Sequence, residues 1–254
     1  MDVNIQGAPV YFTIKTPDWF PFDLPITSTL VVTWGIMLIL TGLCIFLTRN
    51  LKVRGVSRRQ AVAEYLVSTA ENFVQSNMGP RWIRWTPFIA ALFSLSIVSS
   101  LSSLTGLYAP TADLNTELAW ALLVFVIITY QKIRANGPLG YAVGFTKPIF
   151  VLTPFNIISE LATPISMAFR HFGNIVSGYV ISTLVYAALA AANRALFSWL
   201  PGAVGEWLRS IPILSVGLPA ALSLYFDWFS SFMQAFIFSM LTMMYISSAA
   251  ETDS

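Results

Sequence analysis

Charged residues divide this chain into a few long apolar stretches. Uncharged runs of 25, 28, 23 and 23 residues separate Asp23 from Arg49, Arg84 from Asp113, Arg170 from Arg194 (His171 counted as neutral) and Asp227 from Glu251. At 1.5 Å per residue each is long enough, as a helix, to cross a hydrocarbon core of about 30 Å. A fifth run, Glu117 to Lys132, holds 14 residues and is short by itself. If its helix starts at Asp113 or Asn115, both good N-caps, it gains the missing turn, and the acid suits the positive end of the helix dipole. The pattern predicts five membrane-crossing helices.

Between the first two runs the period changes. In "SRRQAVAEYLVSTAENFVQSNMG" (57–79), Ala61, Tyr65, Leu66, Thr69, Phe73 and Val74 recur at helical spacing, with Arg59, Glu64, Glu71 and Gln75 elsewhere on the wheel. This predicts an amphipathic helix capped by Ser57 and stopped at Gly79-Pro80, lying on the membrane surface or against a partner. The later stretch "ANGPLGYAVGFTKP" (135–148) reads as a turn-rich loop. The fold class is thus all-α and polytopic: five crossings plus one surface helix in a single membrane domain, 1–254.

The fourth run belongs to something longer. From Pro154 to Asn193 there are 40 residues with only Glu160 and Arg170 charged. As one helix they would extend about 60 Å, twice the membrane core, so the helix must be tilted, partly horizontal or broken. Pro164 is a candidate kink and Pro201-Gly202 a candidate end. On this helix Ser159, Thr163, Ser166, Arg170, Asn174 and Ser177 are spaced 4, 3, 4, 4 and 3, which puts all six on one face. The last apolar helix carries a counterpart, Ser223, Asp227, Ser230 and Gln234, at 4, 3 and 4. A polar face inside a membrane must meet a helix, a hydrated cavity or another subunit, and two facing polar seams would make a hydrated route.

Composition agrees with this picture: 56% of residues are hydrophobic and 10% charged, and mean hydropathy is +0.69, values of an integral membrane protein. The charges set its orientation. Ten of the fourteen Lys and Arg residues (Arg49, Lys52, Arg54, Arg58, Arg59, Arg81, Arg84, Lys132, Arg134, Lys147) fall after the first and third crossings. By the positive-inside rule the N-terminus is expected outside and the C-terminal "AAETDS" in the cytoplasm. Asp2, Asp18 and Asp23 against Lys15 before the first span leave no basic n-region, so that span is expected to be retained. Cys44, the single cysteine, forms no intrachain disulfide. A formal charge of +2 without a basic, aromatic-interleaved cluster gives nucleic-acid binding no support.

Arg170 is the chemically informative residue. A guanidinium keeps its proton at any accessible pH, so it cannot relay protons; it can attract a carboxylate that has lost its ion and block cations from leaking past. A structural arginine paired with Asp227, or with Glu160 if the helix bends, is the competing reading. His171, about 100° away on a stripe with Tyr179, is either a packing histidine or a proton relay. Glu160 either lines a route on the cytoplasmic half or packs at the helix entrance. Met240, Met243 and Met244 read as packing.

"ATPISMAFRHFGN" (162–174), with "MQAFIFSMLTMMYI" (233–246) and "PTADLN" (110–115) upstream, resembles subunit a of bacterial F-type ATP synthases, the clostridial sort in particular. The resemblance covers nearly the whole chain, in order and spacing. It implies a stator in the bacterial plasma membrane beside a c-subunit ring, with a b-subunit peripheral stalk and other synthase subunits as partners and no cofactor. It also implies an ion-translocating tilted hairpin over 154–249, with two offset half-channels for H+ or Na+. Arg170 matches the family's arginine, Asn174 its motif asparagine and Gln234 its last-helix glutamine. Tyr179 stands where many members have glutamate, and Asp227 where they have histidine or glutamate. Asp227 is therefore expected to supply the titratable or ion-coordinating group of the outer half-channel, with Ser223, Ser230, Tyr179 and His171 lining it.

Two other classes compete. A stand-alone transporter is opposed by the lack of repeat symmetry and of several midplane charges. An enzyme is opposed by one histidine and one cysteine, and by the absence of a zinc-binding His-Glu-x-x-His pair, a persuasive Ser-His-Asp set or a phosphate-binding Gly-x-x-x-x-Gly-Lys loop.

Overall fold

The computed structural model describes residues 8–17, 23–147, 149–198, 202 and 224–250. Among the described residues six α-helices carry the fold: α1 (Ser28–Thr48), α2 (Arg58–Met78), α3 (Thr86–Leu101), α4 (Leu114–Gly144), α5 (Thr153–Leu196) and α6 (Ser230–Ala249). With its flanking 3-10 turns, α3 forms an apolar unit over Pro80–Thr105. That unit, α1, α4, α5 with the turn before it, and α6 are long and apolar enough to cross a membrane, and these are the five crossings the sequence predicts.

The caps follow local chemistry. Ser57 Oγ accepts from the Gln60 amide at 3.3 Å to open α2. Gly79, at φ 90°, closes it by donating to the Gln75 carbonyl, in a conformation that side chains disfavour. Asp113 does two things at once: Oδ1 accepts from the Asn115 amide at 3.0 Å and caps α4, while Oδ2 accepts from Thr29 Oγ1 at 2.9 Å and ties α4 to the start of α1. Val74 and Met78 of α2 pack in the core, and Phe73 packs against it. Ala61, Tyr65, Leu66 and Thr69 are exposed, so the predicted apolar face is covered only in its second half.

Two departures from expectation have simple causes. The stretch 135–148, expected as a loop, stays helical through Gly144. Gly137 (φ 73°, ψ 165°) breaks the helix and Pro138 restarts it, proline being well suited to a first helical turn where its missing N–H costs nothing. Before α1, the strands β1 (Val10–Ile14) and β2 (Leu24–Thr27) pair antiparallel, a small addition to an otherwise helical fold. The β-branched and aromatic run Val10-Tyr11-Phe12-Thr13-Ile14 favours a strand.

The core lies where α2, α3, α4, α5 and α6 meet; Val74, Ile89, Val124, Ala168, Phe238 and Met243 are buried in it. Met240 packs against this core, whereas Met244 is exposed. α5 is continuous through Pro164 for 44 residues and ends at Leu196, a few residues before Pro201. Its second half shows Val180, Ile181, Leu184 and Tyr186 outward.

Candidate functional site

α4 and α5 run antiparallel and are pinned at two levels. Lys132 Nζ of α4 donates to both oxygens of Glu160 of α5, at 2.6 and 2.7 Å. Farther along, Glu117 Oε2 of α4 lies 3.0 Å from His171 Nδ1 of α5, and both side chains are fully buried. On α4 the two levels are fifteen residues apart, about 22 Å; on α5 they are eleven apart, about 16 Å. Long side chains at the Lys132–Glu160 level make up part of the difference.

Of the two roles open at Glu160, this geometry supports packing. A carboxylate gripped through both oxygens by an ammonium is a strong charge-assisted contact. It also means that Glu160 is engaged away from Arg170.

Arg170 is exposed on the outward face of α5 and, among the described residues, forms no ion pair or hydrogen bond. The predicted stripe is realised around it. Ser166 and Ser177 are exposed on the same face, and Thr163 is half-buried, donating back to the Ser159 carbonyl at 3.1 Å. One turn beyond Arg170, Asn174 Nδ2 donates to Ser230 Oγ at 2.6 Å. That bond joins the polar seam of α5 to the polar seam at the start of α6. Gln234, one turn farther along α6, is buried.

Asp227 falls in the π-helical turn Leu224–Phe229 that leads into α6, an uncommon conformation which places an extra residue in the turn. The side chains of Asp227 and Tyr179 and the whole of Ser223 lie outside the described residues.

Glu117 is the functional candidate that sequence reasoning missed. It stands three residues after the start of α4, where an acid is accounted for by the helix dipole alone. Nothing in its local pattern points to a histidine on another helix. The approach to His171 is close but off-line for an N–H···O bond. Both carboxylate oxygens and both ring nitrogens have no hydrogen-bond partner among the described residues. The Phe238 ring of α6 covers the imidazole, centroid to centroid 5.9 Å. Above this level the 3-10 turn Pro110–Ala112 packs against α3, α4 and α5, and Ser100 donates to Thr111 at 3.2 Å.

The sequence has known relatives. Residues 30–247 match the protein family described as ATP synthase A chain. The sodium ion specific ATP synthase subunit a of Propionigenium modestum is 29% identical, over 95% of this chain and 84% of that protein. ATP synthase subunit a of Desulforamulus reducens is 31% identical over 98% of this chain and 89% of its own length. From Hahella chejuensis, ATP synthase subunit a 1 is 32% identical, over 94% and 91% respectively.

Proposed function

The chain belongs to the ATP synthase A chain family, and on that premise we propose which of its residues carry the ions. As a member it is a non-catalytic, ion-translocating stator of the membrane sector of a bacterial ATP synthase, a multi-span protein of the plasma membrane working with other subunits of that complex. The proposal concerns the site. Arg170 stands as a fixed cation on the outward face of α5 and meets the carboxylates of a passing c-subunit ring. Two half-channels open on either side of it, offset from each other.

The observation that carries this reading is a guanidinium on the outward face of a long, largely apolar helix, without an anionic partner among the described residues. A charge inside the hydrocarbon core is costly, up to about 2.5–3.5 kcal/mol on insertion scales. The described residues supply no anion to offset it, so a carboxylate on a neighbouring chain is the natural partner. The cation lets that carboxylate pass deprotonated, yet offers nothing for a proton or sodium ion to ride on, so the two half-channels stay separate. Ions moving down the membrane potential contribute roughly 2.3 kcal/mol per charge per 100 mV, which rotation passes on to ATP synthesis elsewhere in the complex.

On the outer route Asp227 is the titratable or ion-coordinating group, with Ser223, Ser230, Ser177, Tyr179 and His171 beside it. Asn174 and Gln234 hold the crossing of α5 and α6 next to Arg170. Glu160, bonded to Lys132, closes the inner side of the α4–α5 contact. The N-terminus faces outward and the C-terminus the cytoplasm, with a b-subunit stalk holding the stator.

Replacement of Arg170 by alanine in the whole complex tests this. Coupled ATP synthesis is expected to vanish while the complex assembles in normal amount. Normal coupling in that variant would reject the reading. A stand-alone transporter predicts instead that the purified chain moves ions by itself.

A further inference from the structure

One face of α2 runs from covered to bare. Arg59, Val62, Leu66 and Phe73 follow one another at 3, 4 and 7 residues, which puts them on one side of the helix. At its far end Phe73 meets the rings of Phe93 in α3 and Phe236 in α6, centroids 6.3 and 5.4 Å away, both on membrane-crossing helices. At its near end the Arg59 guanidinium lies over the Phe46 ring in the last turn of α1, 5.0 Å from the centroid. Between these contacts Val62 and Leu66 are exposed. The face that packs on crossing helices thus continues beyond them, beside the end of α1.

The loop that enters α2 carries charge of one sign. Arg49, Lys52, Arg54, Arg58 and Arg59 are all exposed, and no acidic residue stands between Asp23 and Glu64. None of the five cations makes an ion pair among the described residues. Apolar side chains alternate with them: Leu51, Val53 and Val56 are exposed, Val53 by 99%. A single side chain closes this loop. Gln60 is buried and reaches back to pair twice with the backbone of Lys52, Oε1 accepting from the amide at 2.9 Å and Nε2 donating to the carbonyl at 2.8 Å. Nε2 also donates to Glu64 Oε1 at 2.7 Å, so the nearest acid is engaged. Gly55, at φ 74°, supplies the turn inside the closed loop.

We propose that residues 49–66 form a preformed binding site for anionic phospholipids, with the loop's cations on the headgroup phosphodiesters and Leu51, Val53, Val56, Val62 and Leu66 in the acyl boundary beneath. Three observations point to lipid over an acidic protein segment. The loop starts directly after a crossing helix, so chain connectivity holds it at headgroup depth. Its apolar side chains interleave with the cations, the composition of an interfacial segment, whereas an acidic partner calls for charge alone. The apolar face it leads into is the one that packs on the crossing helices. Arginine and lysine suit this place because their stems lie along apolar surface while the charged heads reach the phosphates. The Gln60 clasp holds the loop in shape before lipid arrives, which lowers the entropy lost on binding. The inference does not depend on the role of Arg170, which lies on another helix.

The test uses the whole synthase in nanodiscs of phosphatidylcholine containing graded phosphatidylglycerol, with subunit content as the check on assembly. A fluorescent donor is placed on Val53→Cys in a synthase otherwise without cysteine, Cys44→Ala included. Energy transfer to acceptor-labelled phosphatidylglycerol or phosphatidylcholine is the readout. Transfer is expected to favour phosphatidylglycerol at low salt and to lose that preference at high salt. Lys52→Gln and Arg54→Gln are each expected to raise the half-saturating phosphatidylglycerol content about fivefold. Gln60→Ala keeps every charge and is expected to raise it severalfold by opening the loop. Equal transfer to the two lipids would overturn the site, since a plain interfacial anchor needs no anion. Unchanged preference in the assembled Gln60→Ala variant would overturn it too, leaving diffuse attraction between a charged loop and a charged surface. Little transfer to either lipid, with position 53 crosslinked to an acidic segment of another subunit, would overturn it in favour of a protein partner.

Discussion

At the scale of single residues, the helical period makes one face of α5 legible from the sequence, and chemistry picks Arg170 out of it. The partners of a residue on other helices are not written in any local pattern. The contacts of Glu117 and Lys132 with α5 are of this distant kind, and Glu160 is bonded by a lysine 28 positions upstream. The two side chains of that bridge are 32% and 17% exposed, shielded enough that a lone charge there is penalised. Lys132→Met alone is expected to lower the stability of the complex by about 2 kcal/mol, because Glu160 keeps its charge and loses its partner. Lys132→Met combined with Glu160→Met is expected to recover most of that loss. Thermal inactivation of the purified complex, read as a double-mutant cycle, measures the difference; equal losses in the single and double variants would refute the bridge. The Asn174–Ser230 bond is a smaller case. Ser230→Ala is expected to cost about 1 kcal/mol by the same assay, and to cost nothing further once Asn174 is alanine.

At the scale of elements, caps and spans were readable because they depend on neighbours in sequence: Ser57, Gly79 and Asp113 act within three or four residues of themselves. The stretch 135–148 departs from expectation for the opposite reason. Gly and Pro in "ANGPLG" signal a turn, and a turn is there, but it occupies one residue between two helical segments. What keeps the second segment in place is distant: Asn156 of α5 donates to the carbonyls of Phe145 and Lys147, at 2.8 and 3.0 Å. Gly137, at φ 73° and ψ 165°, sits in a region nearly reserved for glycine. Gly137→Ala is therefore expected to destabilise by about 1–3 kcal/mol. Gly144→Ala should be silent or slightly stabilising, since its backbone is ordinary and nothing lies within 4 Å of an added Cβ. Thermal inactivation of the two variants side by side checks this, and equal effects would contradict the assigned kink.

At the scale of the whole molecule, chain length and helix rise together imply an inclined α5, and the two α4–α5 levels sharpen the argument. From Leu114 to Gly137, α4 has about 34 Å of helix, close to one membrane thickness. Its first turn, with Glu117, therefore belongs toward one membrane boundary if α4 stands upright. His171 touches Glu117 there, yet α5 still has twenty-five residues to run, about 37 Å. An upright α5 would drive Leu184 and Tyr186, both exposed and apolar, far into water, at a cost of about 25 cal/mol for every Å² of apolar surface left wet. An α5 lying over toward the membrane plane keeps them in hydrocarbon and presents a long face, Arg170 included, to a neighbour that moves sideways past it. A nitroxide on a cysteine at Ala188, in a Cys44→Ala background, reads the outcome. Ala188 is seventeen residues past His171, about 25 Å beyond that level if the helix stands upright. The inclined helix predicts that the label is relaxed by dissolved oxygen as strongly as one at Ser166 and little by a water-soluble paramagnet. Strong relaxation by the water-soluble agent would show α5 leaving the membrane, and the face it offers to a rotor would then be too short for the proposed route.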